Sequence, residues 1–499
     1  MRLEAMLKFV PLAALVAAAG CRTTNGVLAD YQQNIAYGRY AEAAAEPAEL
    51  AAKADDSQLL WQLLAASAND LADNSDKALA LYDAAEDRMI YNDQASVFKQ
   101  ATDTAAAMMI NDKFFKYDGG GQDRIFTCLY KAQIYAATGR KPAARTELNR
   151  AMQHQENWLW QRRKDLDAAD ERLRRETADY ARSKSNADAA VDPAKSAGAV
   201  DGAFKSETFR QQIRSNYGFD IFTSGILNKL APRDYQNPYA THFTGVFRWL
   251  NGDGGRNYLK DAASLRGDNP FVAQDNRECA AGARPANQVW VYVEDGLCPY
   301  RDEFRVDLPL FLIPYAGEYV KYAGICLPRF RTRNNAAMYW SVNGVALKEL
   351  ANVDLLAKTE YDVFMRGAIA REITRTVVEV GAQVALGVAA EAARARAAHA
   401  RHHRKDDRSA EYAAMALTLS QFGVAGYGAL RRGADTRSWT ALPKRVLLAR
   451  IQRPADGTVT IVADGVPAAQ VSLPPQGNAV VVLRKPTAYA KASVKVVNF

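Results

Sequence analysis

The sequence predicts an α+β protein: an N-terminal α-helical, tetratricopeptide-like solenoid, then a small C-terminal β-sandwich with an inserted α-helical hairpin. Three observations predict it. Alanines and tyrosines recur at helix-pair spacing in the first half. After Pro285 the apolar period switches from helical to alternating. From Lys444 to Phe499 short apolar runs are separated by Gly and Pro. With 499 residues, 48% of them hydrophobic and 24% charged, the chain is ordinary globular material, long enough for more than one domain.

The first element is an address. Arg2 and Lys8 precede an apolar run from Phe9 that ends at Gly20 and Cys21. That run falls short of the ~20 residues a spanning helix needs. It has the anatomy of a signal peptide of the lipoprotein type over residues 1–20. Ala18, Ala19 and Gly20 before Cys21 resemble a lipobox, with Ala18 where Leu is usual. Cys21 is the expected lipidation site, and residues 21–30 are expected to be the lipid-anchored tether. Arg22 rather than Asp follows the cysteine, so the resemblance implies the outer membrane, facing the periplasm. The formal charge of +8 drops by one without Arg2, Glu4 and Lys8. That mild basic excess suits anionic lipid or wall polymer and argues against nucleic acid.

Residues 31–285 read as the tetratricopeptide-like domain. Ala132, Tyr135, Gly139, Ala144, Leu148 and Ala151 fall at offsets 0, 3, 7, 12, 16 and 19, the spacing of a helix pair. Ala66, Ala78, Tyr82 and Ala85 repeat it, and Gly38 with Ala43 starts a third copy. Gln153 to Ser183 reads as one charged helix. Residues 183–206 are small and polar with Pro193, a flexible linker. NPYATHFTGVFRWLNGDGG and NYLKDAASL form a helix, a glycine turn and a helix.

Residues 286–499 read as the α+β domain. Val289–Val293 and Phe304–Leu312 are expected strands about a Glu-Asp-Gly turn, and MYWSVNGVALKEL another strand with an Asn-Gly turn. Residues 354–430 form the helical hairpin, with Met365, Ile369, Ile373, Val377 and Val380 at helix spacing. Residues 444–499 supply the C-terminal strands.

Four segments, in order, resemble a family of uncharacterised bacterial lipoproteins with a tetratricopeptide-like N-terminal half. They are Tyr117–Ala151, Asn237–Phe247, Val291–Pro299 and Ala434–Ile451. Family members sometimes lie in genomes beside small lipoproteins of the penicillin-binding-protein-activator type, which hints at cell-wall work. The resemblance carries over no catalytic residue.

Candidate sites follow from local chemistry. Since an exported chain is oxidised, a bridge between two of Cys279, Cys298 and Cys326 is expected, Cys279 to Cys298 being the favoured disulfide. Arg394, Arg396, His399, Arg401, His402, His403, Arg404 and Lys405 make a basic helical tip suited to anionic headgroups, peptidoglycan or a protein partner. His399, His403 and Asp407 share one face, but the surrounding cations repel a divalent ion, so no metal is expected there. Asp435, Arg437 and Trp439 form either a recognition site or a domain junction. The apolar run in 411–430 reads as a buried hairpin arm, with membrane insertion as the alternative. Glu294, Asp295, Asp302 and Glu303 are the dense carboxylates, explained as solvated turns. No catalytic motif and no cofactor motif is present.

The expected function is a protein–protein scaffold or adaptor in envelope or peptidoglycan assembly, binding periplasmic or envelope proteins through its helical repeats. The alternatives are an unrecognised enzyme acting on cell wall or lipid, and a secretion or pore component built on the 411–430 hairpin.

Overall fold

A computed structural model describes residues 24–53, 55–99, 117–158, 202–203, 205–217, 236–308, 323–402, 415–417 and 433–499. Helix α1 (Thr24–Ala36) buries Val27, Leu28, Tyr31 and Ile35 along one stripe. Residues 24–30 were expected as tether, but this stripe and the Thr436 hydroxyl bond to Asn25 (2.7 Å) make them the start of the folded body.

Helices α2 (Tyr40–Ala51), α3 (Gln58–Leu71), α4 (Ser75–Lys99) and α5 (Gly121–Ala137) follow, then α6 over 141–158. They fall into three pairs. Each pair turns through one residue in the left-handed region: Gly38 (φ 72°), Asp73 (φ 61°) and Gly139 (φ 79°). Each turn repeats the same bonds, for example Gly139 N–H to Ala136 O and Arg140 N–H to Tyr135 O. These bonds cap the orphan carbonyls at the helix ends. Ala43, Ala78 and Ala144 sit one turn into the second helix of each pair and are buried, letting the helices approach closely. Helix α7 (Glu207–Tyr217) precedes α8 (Pro238–Asn251), α9 (Arg256–Arg266) and α10 (Pro270–Ala280). Asn237 and Asn269 cap α8 and α10 with a proline at the first turn of each.

Strand β1 (Gln288–Asp295) lies at the centre of a five-stranded sheet. Its neighbours are β7 (Arg445–Gln452), antiparallel, and β10 (Ala479–Lys485), parallel. β6 (Lys348–Asn352) and β11 (Ser493–Asn498) form the edges. A four-stranded antiparallel sheet joins β4 (Trp340–Val342), β5 (Val345–Ala346), β8 (Thr458–Ala463) and β9 (Val466–Ser472). Asn343 and Gly344, both at positive φ, make the β4–β5 turn. Alternation along β1 explains the layering. Val289, Val291 and Val293 face the second sheet and share a core with Trp340, Val342, Val459 and Ile461. Trp290 and Tyr292 face the helices, in a core shared with Leu64, Tyr82, Tyr130 and Phe243. That core runs without a break across residue 285, so the boundary marks a change of texture and not a separation of cores.

β2 (Tyr300–Asp307) does not form a hairpin with β1. It pairs instead with β3 (Gly324–Arg331). This two-stranded sheet, α7 and the long helix α11 (Val353–His402) enclose a third core, with Met365, Ile369, Ile373 and Val380 at the spacing expected. α11 is inserted between the paired strands β6 and β7. Apart from residues 415–417, which are helical, the second hairpin arm lies outside the described residues, as do the charged helix beyond Trp158, nearly all of the 183–206 linker, Cys21 and the signal peptide. Among the described residues no helix is long and apolar enough to cross a membrane.

Candidate functional site

A cleft of about 360 Å³ opens where the C-terminal end of α1 meets the β10–β11 loop. Tyr37 and Tyr489 form its rim, their rings stacked at 6.4 Å and 30°. They are 60% and 83% exposed, so these phenols are held out in water where a ligand reaches them. The guanidinium of Arg39 lies 5.8 Å from the Tyr37 ring. The loop is pinned to α1: the Thr487 hydroxyl donates to Ala36 O at 2.5 Å, and the Tyr40 hydroxyl to Lys491 O. Gly38 has no side chain because Lys491 N would lie 3.0 Å from its Cβ.

Leu297, Pro486 and Ala488 are among the apolar lining, and Arg333, Asn334 and Asn335 provide its polar wall. The 333–337 loop is held by Asp295, whose carboxylate accepts the Ala336 and Ala337 N–H groups (2.8 and 3.2 Å) and pairs with Arg445 (2.7 Å). Arg333 donates to Thr440 O (3.0 Å) and lies over the Tyr300 ring (5.1 Å). Its second terminal nitrogen is buried without a hydrogen-bond partner, as is the Asn335 Oδ1. Among the described residues Arg333 makes no ion pair, and burial pulls its pKa down. A half-buried guanidinium with one buried spare donor, near the Asp354 charge but in no ion pair among the described residues, is a costly arrangement that an anionic group would relieve. The arrangement can therefore bind, through ring stacking, a charge-assisted hydrogen bond and one further acceptor.

The sequence-derived candidates lie elsewhere. Asp435 and Arg437 pair with each other (2.8 Å), and Arg437 also donates to Asp56 O and Ser57 Oγ. Trp439 is buried, donates to Ser67 Oγ (2.8 Å) and meets Tyr130 edge-on. The cluster thus lies at the junction of helices and sheet. Arg394, Arg396 and His399 are exposed near the end of α11. The side chains of Arg401 and His402, and all of His403, Arg404, Lys405 and Asp407, lie outside the described residues.

The expected Cys279–Cys298 disulfide is absent, and both are free thiols, as are Cys128 and Cys326. Cys279 ends α10, which is fastened near the start of β1 by Asp275 accepting from Trp290 (2.8 Å). Cys298 lies beyond the other end of β1, its thiol against Trp439 O. The part of β1 from Trp290 to Asp295 alone spans roughly 17 Å at ~3.3 Å per residue, far beyond the ~7 Å limit for bridged Cα atoms.

Nor do the four carboxylates behave as solvated turns. Glu294 is buried beneath the helices, accepting from Tyr130 (3.0 Å) and Tyr239 (2.9 Å) and pairing with Arg484 (3.0 Å). Burial pushes its carboxyl up, while Arg484 and the two phenols oppose the shift. Asp295 points to the opposite side of β1. Asp302 pairs with Arg329 and Arg331, and Glu303 accepts the Ala434 N–H. The four do not converge.

Sequence reasoning missed a Tyr292–His242–Asp275 line, with contacts of 2.9 and 3.0 Å. It has the order of a proton relay, but all three residues are sealed from solvent, and Asp275 also holds Trp290 and Arg450. It fastens α8 and α10 to the sheet. Comparison with family models, with characterised proteins and with solved structures finds no match for the chain.

Proposed function

We infer that the chain is a lipid-anchored scaffold of the outer membrane, facing the periplasm, that captures an extended acidic peptide segment of an envelope protein in the Tyr37–Tyr489 cleft. The observation that carries this reading is Arg333: a half-buried cation whose second terminal nitrogen is a buried spare donor, without an ion pair among the described residues, on the wall of a cleft rimmed by two exposed aromatic rings. Such a site rewards a carboxylate flanked by groups that stack.

The helical half reads as a tetratricopeptide-like solenoid on the strength of its three pairs with matching turns. The helical face at α3 and α5 is covered by the chain's own sheet and by Trp439, which moves partner binding from the repeats to the cleft. If Cys21 carries the lipid, only two residues separate it from α1, so the body is held close to the bilayer. The cleft then lies at the far end of a 13-residue helix, ~20 Å further out at 1.5 Å per residue. Function is then tethering and local concentration of partners.

A photo-crosslinking amino acid at position 489 tests this in living cells. The expected result is one specific protein adduct, weakened by Arg333→Gln and displaced from membranes by Cys21→Ser. An adduct with wall glycan, or no adduct from a fully incorporated probe, overturns the peptide reading.

A further inference from the structure

On the other side of the helical half, α4, α5 and α6 bring together side chains that no local motif links. Glu86, Cys128 and His154 place a carboxylate oxygen, a thiol sulfur and a ring nitrogen within 4.8 Å of one another. We propose that Glu86, Cys128 and His154 bind one divalent transition-metal ion of the zinc class.

The donor chemistry selects the ion. Thiolate, imidazole and carboxylate together suit a borderline-soft divalent metal, not calcium or magnesium. Tetrahedral zinc bonds set donor atoms ~3.4–3.7 Å apart, so side-chain shifts of about 1 Å close the set. Each donor is available. His154 is half-buried, and burial, followed by the charge of Arg124, lowers its pKa, favouring the neutral ring that ligates. One oxygen of Glu86 is held by Lys131 (2.6 Å), while the other meets only the half-exposed Arg150, at 3.3 Å. Burial first, and then the charges of Glu86 and Glu147, hold the Cys128 thiol protonated, and it gives its proton to solvent when the metal binds.

A second observation points the same way. Glu147 shares Lys131 and Arg150 with Glu86, at 3.1 Å to each, yet its Oε2 is buried with no hydrogen-bond partner. Glu147 lies outside the 4.8 Å donor set, but its buried, unpartnered oxygen adds negative charge beside it that a divalent ion offsets. The charges agree. Asp83, Glu86 and Glu147 outnumber Lys131 and Arg150 by one. A thiolate adds a second negative charge, and a divalent ion brings the cluster to neutrality.

The test uses the full chain, extracted in detergent, reduced and stripped with chelator, then titrated with cobalt(II) and zinc(II). The expected result is one ion per chain, with a sulfur-to-cobalt charge-transfer band that zinc abolishes. Cys128→Ser and His154→Gln should each weaken binding by at least about tenfold, while Cys279→Ser leaves it unchanged. Cobalt bound without the charge-transfer band, no stoichiometric binding, or undiminished binding in Cys128→Ser overturns the proposal. The spectrum of the unmutated chain reads thiolate ligation directly, so the outcome stands even where a variant misfolds.

Discussion

Asp123 carries a pH dependence that a single substitution should remove. It lies in the first turn of α5, and one oxygen, Oδ2, accepts from both the Tyr117 hydroxyl (2.6 Å) and the Gly120 N–H (2.9 Å). A second carboxylate crowds the same helix start: Glu360 of α11 accepts the Gly121 N–H at 2.7 Å. The glycines of YDGGGQD make room for this, since a Cβ on Gly120 would lie 2.4 Å from Glu360 Oε1. Burial pushes the Asp123 carboxyl up to about 6 from 3.8, against the pull of the Tyr117 bond and with the help of Glu360. The folded state therefore holds this proton more tightly than the unfolded chain does. The stability it lends is complete below about pH 4 and is lost as pH rises through about 6. The rise from 3.8 to about 6 corresponds to ~3 kcal/mol. Asp123→Asn never ionises, and its carbonyl can accept both bonds now made to Oδ2. Urea unfolding of the full chain should show wild type losing ~3 kcal/mol relative to Asp123→Asn between about pH 4 and 7.5. A difference that stays flat across that range would refute the assignment of a buried, protonatable carboxyl to this helix start.

Three further outcomes are expected. Trp439→Ala should cost ~3–5 kcal/mol, the range for truncating a buried Trp. Circular dichroism and hydrogen exchange should show helices and sheet loosening together, because Trp439 sits in their common core; sheet loss with intact helices would contradict that. Tyr489→Ala should leave the unfolding midpoint within about 0.5 kcal/mol of wild type, since the ring is 83% exposed, while weakening partner capture; a large loss of stability would make the rim a structural element. Peptide mapping without reductant should find no Cys279–Cys298 linkage, and a substantial fraction carrying it would overturn the separation across β1.

The helix pairs were legible because their determinants are local. Ala144, Tyr135 and Leu148 mark one pair within nine residues of Gly139, and a left-handed residue ends the first helix wherever the pattern says it should. The Asn343–Gly344 turn and the C-terminal strands were legible for the same reason, since period-two alternation needs only neighbours. The partner of each strand was not: β1 pairs with residues 445–452 and 479–485, not with the strand that follows it. The cleft was hidden because Tyr37, Arg333 and Tyr489 are scattered along the chain and each is unremarkable alone. The Glu86–Cys128–His154 set was hidden in the same way, one residue on each of three helices.

What the sequence by itself determined, then, is the set of elements: which segments coil, which extend, where each turns, and the expectation of a lipid address at Cys21. Those follow from side-chain period and backbone preference, which act over a few residues. Only the tertiary structure decided that α3 and α5 close onto the five-stranded sheet, burying Glu294 with Arg484 and leaving the rings of Tyr37 and Tyr489 in solvent. Burial and charge pairing are properties of what surrounds a residue, and in a fold whose central strand pairs across more than 150 residues those surroundings come from far along the chain.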